Sequence, residues 1–179
     1  MAGYGLEPIR QANGGTIRAN NFSDGNGYRV AATAPSAFFE GDLVTYSAGN
    51  IVTDMAGASP GAVVGVFWGA EYSDNSSGDV KFVRSIAAGT VAKAKFKCFV
   101  YDDPNTLFKI QADQAATAIA AADVGKNVQI VAAPTGSTVT FKSGLVADSG
   151  FTAAGTAMDI MVRINTHQHR NGATGVTGI

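Results

Sequence analysis

The chain has 179 residues, of which 46% are hydrophobic and 15% charged, and its net charge is -1. This composition excludes a disordered chain, and the near-neutral balance excludes a global electrostatic pull toward nucleic acid or anionic lipid. Glycine occurs 22 times without a three-residue period, which excludes collagen, and the single Cys98 excludes a disulfide framework within the chain.

Residues 1–27 hold the turn signals Asn13-Gly14-Gly15 and Asp24-Gly25-Asn26-Gly27 and have little apolar surface of their own. They are expected to form an extended N-terminal arm that docks on the body or becomes ordered on a partner. The start of the chain lacks a basic stretch followed by a long apolar one, so no signal peptide is expected. The longest apolar run, residues 62–70, is far short of the ~20 residues of a membrane helix. Synthesis in a reducing cytoplasm is the expectation.

Residues 28–168 are expected to form a β-rich body. A strand is predicted over 28–33, and 43–46 and 50–53 flank Ser47-Ala48-Gly49 as a hairpin. Residues 62–72 are the most β-prone and apolar segment, which places them centrally in a sheet. Residues 80–86 form the next predicted strand. Over 90–101, Lys93, Lys95 and Lys97 oppose Phe96, Cys98 and Val100, the period-two pattern of a half-buried strand. Strands are also predicted at 107–111, 127–132, 138–142 and 158–164. The one helical segment is 113–124, where Asp113 can cap the start and Gly125 the end. Many short strands and one short helix predict a mainly β fold, an antiparallel β-sandwich or barrel. Residues 169–179, rich in Gly and Thr, read as a flexible C-terminal tail.

Candidate chemistry is sparse. Gly57-Ala58-Ser59-Pro60-Gly61 fits the G-x-S-x-G nucleophile pattern, but Pro60 has no N–H for an oxyanion hole and a β-prone run follows. His167 and His169 would share one face of a strand, yet no Cys or His pattern elsewhere completes a metal site, unless a symmetry axis gathers copies. Asp102-Asp103-Pro104-Asn105 and Glu40-Gly41-Asp42 read as turn residues rather than acid–base pairs. Lys81, Arg84, Lys93, Lys95 and Lys97 make a basic stripe without interleaved aromatics, which argues against a nucleic-acid surface. Cys98 reads as a buried apolar residue. No enzyme, cofactor or metal is expected, though a small β-barrel enzyme would place a shifted acid at Glu40, Asp42 or Asp103.

Several stretches, in consistent order, resemble the capsid cement or decoration proteins of tailed bacteriophages. They are Gly5-Leu6-Glu7-Pro8-Ile9-Arg10 with Asn13-Gly14, Gly41-Asp42-Leu43-Val44, Val63-Val64-Gly65-Val66, Val100-Tyr101-Asp102-Asp103-Pro104 with residues 107–111, and Val162-Arg163-Ile164-Asn165 before His167-Gln168. The tail after Gln168 departs from that pattern. The resemblance implies a structural virion protein on the outer capsid surface. Its partners would be the major capsid protein and its own copies, a trimer being favoured over a dimer. No membrane partner is implied. The expected shell contacts are Tyr4, Leu6, Pro8, Ile9 and Arg10 of the arm. The competing class is a β-rich host-binding module of a phage tail or fibre, for which Trp68, Tyr72 and Tyr46 would supply an aromatic platform; Trp68 lies in the most apolar run and is expected in the core.

Overall fold

A computed structural model describes residues 4–21, 27–53, 63–113, 127–128, 130–132, 136–147 and 162–163. These residues are mainly β, and every strand pair is antiparallel. The predicted helix at 113–124 lies outside them except for Asp113, as do the G-x-S-x-G stretch, His167, His169 and the tail.

The largest sheet has six strands. They are β2 (Arg29–Val30), β4 (Leu43–Ser47), β5 (Asn50–Thr53), β6 (Val63–Ser73), β7 (Val80–Val83) and β9 (Phe96–Tyr101). Strand β6 is central, pairing with β4, β7 and β9, as its composition predicts. Strands β4 and β5 form the expected hairpin, closed by Ser47 opposite Asn50. Its two turn residues, Ala48 and Gly49, both have positive φ, the geometry whose twist matches a right-handed strand pair.

The other described strands form two-stranded sheets. One joins β1 (Glu7–Gln11) to β10 (Thr106–Lys109), and a second joins β3 (Phe38–Phe39) to β8 (Ser85–Ile86). The others join β12 (Ile130–Ala132) to β13 (Leu145–Ala147), and β11 (Asn127–Val128) to β14 (Val162–Arg163).

Two apolar clusters form the core. One contains Val30, Phe38, Val44, Ile51, Phe67, Phe96, Cys98 and Val100. The other contains Leu6, Leu43, Val66, Ile110, Ile130, Leu145 and Ala147. Adjacent residues of one strand, Leu43 and Val44 or Val66 and Phe67, enter different clusters because successive side chains leave a strand on opposite faces. The centre of the sheet is therefore buried on both faces, which is why β6 reads as a continuous apolar run.

Several predicted strands are revised. The 80–86 strand breaks at Arg84 into β7 and β8, which pair with different partners. The 90–101 strand begins only at Phe96; before it, Val91 and Ala92 make isolated bridges to Thr33 and Asp74, and Lys93 and Lys95 lie outside any strand. Residues 138–142 are a turn: the Ser137 hydroxyl accepts hydrogen bonds from the N–H groups of Val139 and Thr140, which diverts them from a ladder. Strand β13 was not expected; its three residues are all buried and so carry no alternation.

Candidate contact surface

The N-terminal arm is built into the body through residues 4–21. Strand β1 ladders onto β10, and Asn20 bridges to Val100 of β9 by backbone hydrogen bonds in both directions, 2.8 and 3.0 Å. Where the arm meets the β3–β4 turn, the Leu6 N–H donates to the Gly41 carbonyl at 3.1 Å. Gly5 and Gly41 both have positive φ here. A Cβ at Gly41 would come within 3.0 Å of the Leu6 nitrogen, so the close approach needs glycine.

The five arm residues singled out by the sequence have different fates. Leu6 is 5% exposed inside the second apolar cluster, so it anchors the arm and is not a free contact. Tyr4 is half-buried beneath Lys109, whose ammonium lies 5.8 Å from the ring centre and pairs with Glu7 at 2.9 Å. Pro8 is half-buried. The β1–β10 register slips between Pro8 and Arg10, so Ile9 is the extra residue of a bulge, a device that re-aims a side chain. Ile9 is 41% exposed and Arg10 is exposed beside it.

The acidic pairs behave as turn residues. Asp103 accepts hydrogen bonds from the Asn105 backbone and side chain and from Gln11 at 2.9 Å. Asp102 accepts from Asn20 and from the Tyr28 hydroxyl at 2.8 Å, tying the arm to β9. Burial and that carboxylate together push the Tyr28 phenol above its ordinary range. A polar cleft of about 280 Å³ lies between the arm and this turn, lined by Gln11, Thr16, Arg18, Asn20 and Asp103.

Two acids are buried. Glu40 lies between Lys142 at 2.8 Å and Arg84 at 3.3 Å, which clamps the turn over residues 137–142 to the β7–β8 junction. Asp42 is fully buried: one carboxylate oxygen accepts the Phe39 N–H at 2.7 Å and the other has no partner. Burial pushes its pKa up to about 6 against the opposing pull of the Phe39 N–H. A shifted acid with no exposed surface cannot reach a substrate, so its shift reflects packing rather than catalysis. Cys98 is fully buried and burial pushes its thiol up to about 12, the state of an inert cysteine. Among the described residues no three His, Cys, Asp or Glu side chains come together to hold a metal ion, and no helix is long and apolar enough to cross a membrane.

The aromatic residues depart most from expectation. Trp68 is half-buried on the sheet face away from the first cluster, in a triad with Phe82 at 5.2 Å and Phe99 at 5.7 Å. The expected core position of Trp68 is corrected: Phe67 points into the first cluster, so Trp68 leaves the strand on the other face, at a second bulge between Phe67 and Gly69. Gly69 also leaves room for the triad, since a Cβ there would come within 2.7 Å of the Phe82 ring. Tyr72 instead packs on Phe96 of the core, and the exposed Tyr46 stacks on Tyr28, so the three aromatics do not form one platform. Phe99 has the same strand parity as Lys97, a signal present in the alternation but missed because Phe96 dominates it. Sequence reasoning also missed Val139 and Phe141, both exposed on the 137–142 turn. No family model, curated protein or solved structure matches this chain.

Proposed function

We propose that the chain is a structural virion protein that binds the outside of a tailed-phage capsid and cements neighbouring major capsid subunits against internal DNA pressure. The observation that carries this reading is the bulge in β1. A backbone ladder fixes the arm while Ile9 and Arg10 point away from it, an apolar and a cationic contact on a rigid edge. The order of the motifs that resemble cement proteins supports it further. The body is taken as a β-sandwich or barrel made in the host cytoplasm, without cofactor or catalytic residues. Several weak contacts on one rigid oligomer multiply in avidity, and a homotrimer matched to local three-fold positions on the shell is favoured over a dimer.

Because Leu6 belongs to the core, deleting residues 2–20 would unfold part of the body and is not a clean test. Ile9→Ser and Arg10→Glu leave the core intact. Each is expected to weaken co-sedimentation with capsids lacking the chain without changing the far-UV circular dichroism. Undiminished binding of the double variant would contradict the role of the arm. A tail or fibre module is the second reading, favoured by the Trp68 triad. It predicts that Phe82→Ser abolishes adhesion to host cells while capsid binding is absent from the start.

A further inference from the structure

The turn over residues 137–142 combines two features that a fold does not need for itself. Phe141 has φ of 60°, the left-handed region, which is a genuine outlier for a bulky residue and which glycine would occupy without strain. Its side chain is nevertheless 45% exposed, beside Val139 at 84%. A lone exposed hydrophobe is ordinary. Here the backbone and the solvation of the same residue are both unfavourable, and strain of this kind gathers where a surface is shaped for a ligand.

The turn is also held rigid. The Phe141 N–H donates to the Ser137 carbonyl at 2.7 Å, and its own carbonyl accepts from the Glu40 N–H at 2.9 Å. At the foot, Lys142 and Arg84 share the single carboxylate of Glu40, and both cations are more exposed than the acid between them. One net positive charge therefore faces solvent beside two apolar side chains. The arm lies alongside, since a Cβ at Gly5 would meet the Ser143 side chain.

We propose that this turn is a second docking element, in which Val139 and Phe141 enter an apolar socket edged by carboxylates on the capsid subunit. The inference rests on the cement reading and names a contact that the arm does not supply. Pre-organised apolar anchors of this kind carry a disproportionate share of binding energy, and the cationic foot matches an acidic rim.

The test is a pair of variants that keep the fold and lose binding. Phe141→Gly relieves the backbone strain but gives up a partly buried ring and loosens the unfolded chain, so its thermal midpoint is expected to change little, while co-sedimentation with capsids lacking the chain weakens by about tenfold or more. Val139→Ser, which leaves the strained backbone alone, is expected to weaken binding with an unchanged midpoint. Added salt is expected to weaken the binding of the unaltered chain. Unaltered binding by both variants would overturn the docking role. Intact capsid binding with a shift from oligomer to monomer in sedimentation would assign the turn to a second copy instead and also overturn it. If the unaltered chain itself fails to bind capsids, the cement reading falls, a result distinct from failure of the two turn variants alone.

Discussion

The two apolar clusters on either side of the central sheet are built differently. The first draws its members from residues 28–100 and is sealed by large rings, with Phe38 and Phe67 at 5.5 Å and Tyr72 and Phe96 at 4.8 Å. The second gathers single aliphatic residues from distant parts of the chain, from Leu6 to Ala147, around the junction that also encloses Asp42 and Ser143. The first makes the body; the second fastens the arm and the later strands to it. Position on the sheet thus separates what must be stable from what can present contacts at its rim.

The largest effect expected from this contrast is at Phe67, which is fully buried in the first cluster. Phe67→Ala should cost about 3–5 kcal/mol in urea unfolding through lost burial and the cavity left behind. Leu6→Ala should cost somewhat less, about 2–4 kcal/mol, and should also expose the arm to proteolysis before the body. Equal protease resistance in the two variants would break the division of labour.

The next effect is the pH response of Asp42. Its folded pKa of about 6 lies above the ordinary 3.8, so between those values the folded state holds a proton that the unfolded state has released. Stability from this group is therefore full below about pH 4, falls as pH rises to about 6, and then levels off. The loss amounts to at most about 3 kcal/mol. Asp42→Asn should flatten that slope, which urea titrations at pH 4 and pH 7.5 would show.

The clamp at Glu40 is expected to matter less. Arg84 is about half exposed, so Arg84→Gln should cost under about 1 kcal/mol, whereas Glu40→Gln leaves the half-buried Lys142 without its carboxylate and should cost more. The smallest signal is Cys98, whose native thiol should resist labelling until the chain unfolds.

Much of the sheet was legible because its signals are local. Ser47-Ala48-Gly49 specified a hairpin, and the apolar density of residues 62–72 specified a central strand, observed as Val63–Ser73. The Asp103 turn and the buried Cys98 followed from residue type and parity. Part of what was not legible depends on contacts between distant segments. Leu6 is a core residue only because Gly41 lets the arm approach. The outward turn of Ile9 arises from a bulge, which shifts parity without leaving a mark in composition. Residues 138–142 have strand-like composition, but the Ser137 hydroxyl accepts from Val139 and Thr140 and its carbonyl from Phe141, a local serine turn that the composition hides.

The central claim is tested most directly by the copy number of this chain, relative to the major capsid protein, in gradient-purified virions. The cement reading predicts a ratio near one, or a simple fraction set by a symmetric site on the shell. A handful of copies per particle, or none, would contradict it.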